Sequence, residues 1–222
     1  MDRYDRLLHL SSFSKEKLFI LQKKKVLIVG VGGVGQHVAT YLTTNGVTNL
    51  SIIDYDIVEI SNLNRQILLT ENDVGLPKVE VVKNALLNRN SEASITAINV
   101  KFTERNATDL INGYDIVVDA VDSWETKLII AEACQKSRTS LLHIGVDGEK
   151  GQCCLFVDKP LSEIANKEIL SAPKDGVMGP MVGLVSSMAS ILLIDYLTGN
   201  SENNDKLFYY DYKSSHIGKV LI

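Results

Sequence analysis

The sequence predicts an α/β fold: a mostly parallel sheet with helices on both faces, closed by antiparallel strands at its C-terminal end. Three observations carry that expectation. Short apolar runs alternate with amphipathic stretches from Lys25 onward, a glycine turn separates the first such pair, and two apolar runs flank Lys213-Ser214-Ser215 near the C-terminus.

The elements follow in order. Residues 1–24 mix charged and apolar residues and are expected to form an N-terminal helical arm. Val26 to Val29 is a short β-rich run, and Gly33 to Asn45 has helical spacing that stops near Gly46. Leu50 to Ile53 is the second run. Lys78 to Asn88 places Val79, Val82, Ala85 and Leu86 on one helical face, with Pro77 at the entrance, where a missing amide proton costs nothing. Ile95 to Val100 and Ile116 to Ala120 read as the third and fourth strands, Trp124 to Lys136 as a helix, Leu141 to Ile144 and Gly151 to Val157 as strands. A polar segment, Asp158 to Gly176, then interrupts the pattern; an irregular stretch of that length is either a lid over a site or a linker. Pro180 to Leu197 is a nearly all-apolar helix, suited to a central core position or a dimer interface. Leu207 to Asp211 and Ile217 to Ile222 close the chain as a hairpin. These segments fit one domain spanning 1–222: arm 1–24, nucleotide-binding core 25–157, crossover segment 158–178, and apolar helix with final strands 179–222.

Bulk properties narrow the function classes. The chain has 222 residues, 45% hydrophobic and 23% charged, enough to bury one core and too apolar for wholesale disorder. A net charge of -4 argues against a nucleic-acid binder with a generally basic surface. No secretion signal is visible. Ser186, Ser187, Ser190 and Asp195 make the apolar helix a poor membrane span, so a cytoplasmic location without membrane attachment is expected. Cys134 stands alone while Cys153 and Cys154 are adjacent, a spacing that gives neither a disulfide framework nor a Cys-x-x-Cys knuckle. In a strand, adjacent cysteines point to opposite faces, and both read as core residues. His9, His37, His143 and His216 lack ligand-like spacing.

The chemistry begins at Gly30-Val31-Gly32-Gly33-Val34-Gly35, a G-x-G-x-x-G turn between a strand and a helix. One glycine permits the tight turn, one lets phosphate approach the backbone, and one lets helix and strand pack closely. The helix N-terminus offers free N–H groups and partial positive charge to an anion. Asp54 ends the next run about twenty residues on, where a carboxylate can bond ribose hydroxyls, so the fold is Rossmann-like. The turn alone leaves NAD, FAD and ATP open.

Later residues favour a triphosphate. Ser61-Asn62-Leu63-Asn64-Arg65-Gln66 follows Asp54 and Asp56, and Gly75-Leu76-Pro77-Lys78 opens a helix. Arg65 and Lys78 are the cations that reaction at an α-phosphorus requires, and Asn62 is a neutral donor. Asp122 follows the fourth strand at the carboxyl edge of the sheet and suits Mg²⁺. Each has a plainer alternative: a surface salt bridge for Arg65, a first-turn lysine for Lys78, a helix N-cap for Asp122. Lysine is electrostatically disfavoured at a helix N-terminus, which favours a function for Lys78.

Together these motifs resemble the ThiF/MoeB/HesA family, bacterial relatives of the ubiquitin-activating enzymes. The similarity includes Arg3-Tyr4-Asp5-Arg6, Ile53-Asp54-Tyr55-Asp56, Asp119 to Asp122, Gly176-Val177-Met178-Gly179-Pro180 and Tyr210-Asp211. It implies adenylylation by ATP and Mg²⁺ of the C-terminal glycine carboxylate of a small ubiquitin-fold sulfur-carrier protein ending in Gly-Gly, of thiamine or molybdopterin type. Gly30, Gly32, Gly33 and Gly35 would seat the nucleotide, with Asp54 on the ribose and Asp56 beside it. Asn62, Arg65 and Lys78 would meet the phosphates, and Asp122 the magnesium. Arg6 matches an arginine that crosses a homodimer into the neighbour's site. The chain lacks the family's paired Cys-x-x-Cys motifs, so no zinc is expected. The residues Ser171-Ala172-Pro173-Lys174-Asp175 supply no cysteine before Gly176, where some relatives carry a reactive one. Branches that modify tRNA or a small peptide are the alternatives within the family. Outside it stand an NAD-dependent oxidoreductase and a non-catalytic scaffold.

Overall fold

The computed structural model describes residues 3–162 and 176–221. Its strands are β1 (Lys25–Val29), β2 (Asn49–Asp54), β3 (Ser94–Asn99), β4 (Ile116–Asp119), β5 (Ser140–Asp147), β6 (Lys150–Phe156), β7 (Lys206–Asp211) and β8 (His216–Leu221). They form one sheet in the order β3-β2-β1-β4-β5-β6-β7-β8. The first five run parallel, and β6, β7 and β8 are antiparallel to their neighbours. The mixed sheet with antiparallel C-terminal strands is therefore as expected. Strand order reverses between β1 and β4, and in such sheets the crevice beyond that switch point holds ligands.

The helices are α1 (Asp5–Leu8), α2 (Lys15–Lys23), α3 (Gly33–Thr44), α4 (Lys78–Arg89), α5 (Glu104–Ile111), α6 (Trp124–Ser137) and α7 (Gly179–Leu197). Alternate strand residues feed two cores, as a sheet covered on both faces requires. Val26, Ile28, Leu142 and Cys153 join Val38, Leu42, Val82 and Leu193 on the α3–α4–α7 face. Leu27, Val29, Leu141 and Cys154 join Ile111 and Ile130 on the α5–α6 face. Cys153 and Cys154 are thus buried on opposite sides, and burial pushes the Cys153 thiol up to about 12.

Two elements depart from the sequence pattern. The short helix α5 buries Ala107 and Ile111, packs Leu110 beside them, and owes its start to a Thr103–Asn106 capping box. Strand β5 runs three residues past Ile144, because β6 turns straight back and pairs Gly145, Val146 and Asp147. Helix α7 is long and apolar enough to cross a membrane by length and composition, yet half of that window is buried. It packs on α3, β5 and β6, as a core helix does, with Leu184 and Ile191 left exposed. The expected lid or linker falls largely on 163–175, outside the described residues.

Candidate active site

The glycine turn brings β1 onto the mouth of a cleft of about 1090 Å³ along the carboxyl ends of β1, β2, β4 and β5. Gly30 has φ +91°, and a Cβ there would stand 2.8 Å from the Ala120 carbonyl oxygen, so the loops after β1 and β4 touch only because residue 30 is glycine. Gly32 and Gly33 line the cleft. Gly35 does not: its Cβ would run into the Gly30 carbonyl oxygen, so it lets α3 seat under the turn. The first intrahelical bond of α3 is Gln36 N–H to Gly32 O, which leaves the preceding amides of the first turn to an anion.

Asp54 ends β2 at the rim of the cleft. Its Oδ2 accepts from Val31 N–H at 2.8 Å and its Oδ1 from Asp56 N–H at 2.9 Å, so it pins the turn to the end of β2. Buried Gln36 and Gln66 complete the scaffold, with Gln36 Nε2 donating to Val31 O at 2.9 Å and to Gln66 Oε1 at 3.2 Å. Gln36 Oε1 accepts from Leu68 N–H, tying the 60–69 loop to α3. Neither glutamine is legible as a site residue, since their contact joins positions 30 residues apart.

The cations converge on the same cleft. Lys78 Nζ donates to Asp56 Oδ2 at 2.9 Å, with the lysine side chain 7% exposed and the aspartate 48%. Among the described residues Arg65 has no carboxylate partner; it donates to Ser61 O at 3.0 Å and Asn64 Oδ1 at 2.9 Å. Asn62 is buried, its Oδ1 accepting from Glu59 N–H at 3.1 Å. Asp122 is exposed and lines the cleft, and among the described residues it makes no hydrogen bond or ion pair. It is not the N-cap of α6, because Ser123 accepts from Thr126 N–H in that role. An exposed carboxylate that lines the same cleft as Lys78 and Arg65 would suit a Mg²⁺ that takes most of its ligands from water and a bound anion.

Arg6 sits elsewhere. It is exposed on α1 and does not line the cleft. The neighbouring Tyr4 hydroxyl accepts from Asn90, which in turn donates to Thr43 O, at the C-terminal ends of α4 and α3. Those ends lie at the opposite edge of the sheet from the glycine turn.

Beyond β4 the cleft floor carries a buried ionic group absent from the sequence-based site. Asp119 is held by Lys127 Nζ at 2.9 and 3.1 Å and by His143 Nδ1 at 2.8 Å, and Lys127 also donates to Ile144 O. Burial alone would raise the Asp119 carboxyl, but the Lys127 ammonium and the His143 hydrogen bond hold it below the usual carboxylate range. Burial and the same ammonium push His143 down, against the pull of Asp119.

Comparison with known proteins gives this geometry relatives. A model of the ThiF family matches residues 4–222. The adenylyltransferase and sulfurtransferase MOCS3 of Aedes aegypti is 35% identical over 211 residues, covering 90% of this chain and 47% of that protein. The molybdopterin-synthase adenylyltransferase of Haemophilus influenzae is 33% identical over 196 residues, covering 85% of this chain and 81% of its own. Among solved structures, E. coli MccB with ATP has a TM-score of 0.86 at 25% identity, covering 100% of this chain and 71% of that one. The chain spans about half the length of the MOCS3 relatives it matches.

Proposed function

The chain belongs to the ThiF family, and from that membership we propose that it is an ATP-dependent adenylyltransferase acting on a small ubiquitin-fold sulfur carrier that ends in Gly-Gly. A carrier belonging to molybdopterin synthase is favoured over a thiamine-type one by the names of the Haemophilus and E. coli relatives. The observation that carries the proposal is convergence: Arg65, Lys78 and Asp122, the last without a partner among the described residues, line the cleft that the glycine turn opens onto.

In this reaction the carrier's terminal carboxylate oxygen forms a bond to the α-phosphorus while the bond from that phosphorus to the bridging oxygen breaks. Pyrophosphate departs with the electron pair and the acyl-adenylate remains. No general base is required, because a carboxylate is already ionised at neutral pH. The first-turn amides of α3 seat the phosphates and Asp54 takes the ribose. Arg65 and Lys78 stabilise charge that builds on the migrating oxygens. Asp122 would hold Mg²⁺, which when bound neutralises phosphate charge. Arg6 cannot serve its own cleft from the far edge of the sheet, so its role requires a homodimer in which it enters the partner's site.

The test is exchange of radiolabelled pyrophosphate into ATP, with and without a purified diglycine-ended carrier, in wild type and in Lys78→Ala and Asp122→Ala. Exchange near the wild-type rate in either variant sinks the assignment. Tight NAD binding without exchange replaces it with a dinucleotide enzyme. A second reading, a different acceptor, is favoured by the likeness to MccB, which has been solved with MccA. ATP binding without exchange on any ubiquitin-fold carrier would point there.

A further inference from the structure

The antiparallel half of the sheet carries a polar chain that seating a nucleotide does not require. Directly opposed residues share a face, so Gly145, Gln152, Tyr209 and Gly218 form one row across β5, β6, β7 and β8. Gly218 makes room for the Tyr209 ring, which a Cβ there would run into, while a Cβ on Gly145 would only touch the Gln152 side chain at an ordinary contact distance of 3.4 Å. The next row outward is already paired, with Lys150 on Asp211 and His216 on the Tyr209 hydroxyl.

Gln152 is 4% exposed and lines the cleft, with its Nε2 lying 3.3 Å from His143 Nε2. Proton placement along this chain has one consistent solution. An ionised carboxylate only accepts, so His143 Nδ1 carries the hydrogen shared with Asp119. A fully buried imidazole close to the Lys127 ammonium is neutral, so its Nε2 keeps a lone pair. Gln152 must donate to that lone pair, and its amide nitrogen therefore faces the ring. The carboxamide oxygen is left without a partner among the described residues, and it is not sealed from the cleft.

We propose that Gln152 is a specificity-determining residue of the acceptor groove, its carboxamide oxygen accepting an N–H from the acceptor's backbone. His143, Asp119 and Lys127 are positioning residues that keep the oxygen, rather than the NH₂, turned to the groove. A chain that delivers its C-terminal carboxylate to the α-phosphate lies extended and carries an amide N–H at each residue but proline. A single neutral acceptor on a flat floor reads that N–H without attracting the terminal charge. The inference rests on adenylylation of a C-terminal carboxylate as proposed above.

The test uses the full chain with Gln152→Met, which keeps the side-chain length and removes the acceptor. With a cooperative melt confirming the fold, the KM for a purified diglycine-ended carrier in pyrophosphate exchange should rise about three- to tenfold. The KM for ATP should stay put, which a merely structural defect would not allow. An unchanged carrier KM, or a parallel loss in ATP affinity, overturns the role. In ¹⁵N-labelled wild type, His143 should show a protonated Nδ1 and a bare Nε2; the opposite tautomer overturns the positioning assignment. Failure of wild type to exchange with any diglycine-ended carrier overturns the carrier reading and the acceptor role built on it, while the tautomer measurement still decides how Gln152 is oriented.

Discussion

Replacing Gly32 by alanine separates a glycine kept for a ligand from one kept for the fold. Gly32 has φ -71° and ψ -157°, which alanine adopts without strain. The added Cβ would meet only Gln66 Nε2, at 3.9 Å. The folded protein has room for it, so stability should hold or rise by ~0.4–1 kcal/mol through the narrower unfolded ensemble. The ligand does not have room. The methyl group enters the cleft beside the unbonded amides of α3, which a phosphate oxygen must approach to about 2.9 Å. Holding the phosphate off by roughly an ångström stretches such a bond past its useful length. One charge-assisted bond is worth about 1.5–3 kcal/mol, so ATP should bind about ten- to a hundredfold more weakly. Gly35→Ala is the control. Its Cβ would stand 3.0 Å from the Gly30 carbonyl carbon and closer still to the oxygen. Helix α3 would have to slide although Val38, Ala39 and Leu42 are fully buried, at about 1–3 kcal/mol of stability. Calorimetric titration with Mg·ATP and urea unfolding read the two effects apart. A folded Gly32→Ala protein that binds ATP within twofold of wild type would refute the phosphate-seating role of the turn.

The remaining predictions concern charge. Lys78→Ala and Asp122→Ala should each lower pyrophosphate exchange by about 10²–10³-fold while leaving a cooperative melt, as loss of one preorganised charge partner does. Arg6→Ala should be inactive alone yet regain activity when mixed with Lys78→Ala, because a mixed dimer contains one intact site; no recovery after subunit exchange would place Arg6 outside the reaction. Stability should fall as pH drops below about 6.5. The folded value of His143 is depressed, so the unfolded chain takes up that proton first, and stability is full above the unfolded value and lost below it. The slope from one such group is at most about 1.4 kcal/mol per pH unit. Asp119, also depressed, adds the same sign of dependence below about pH 4. His143→Gln should flatten the slope between pH 6.5 and 5 in urea unfolding, whatever it does to the absolute stability; an unchanged slope assigns the acid sensitivity to other groups.

Half of the candidate cleft was legible because its signals are local. The strand, turn and helix from Lys25 to Thr44 declare themselves by period and by glycine spacing, and Asp54 at the end of β2, Lys78 at the start of α4, and Arg65 and Asp122 in loops follow from that unit. The alternative roles of these residues were also resolvable once contacts were visible, with Ser123 rather than Asp122 capping α6. Legibility ended where contacts cross strands. His143 reads as an unremarkable strand residue until β4 and β5 pair it with Asp119, and Lys127 as an ordinary helix lysine until α6 turns it inward. Gln152 depends on the β5–β6 register, which a one-residue slip would turn to the other face.

The pairing of Lys78 with Asp56 bears on how the cleft receives a nucleotide. A free lysine gives up about 1.5–2 kcal/mol of rotamer entropy when fixed on a ligand. Here the stem is buried and the ammonium already held at 2.9 Å, so folding has met that cost before ATP arrives. What ATP must displace is an ion pair whose carboxylate is about half exposed, so water already screens and solvates that partner. Exchanging Asp56 for a phosphate bearing more charge is therefore favourable on both counts. Arg65 follows the same logic with weaker partners, a carbonyl and an amide oxygen, neither of which competes with a phosphate. The two cations are thus held in place by groups that a more highly charged ligand could displace, which suits them to the phosphate-binding role proposed above.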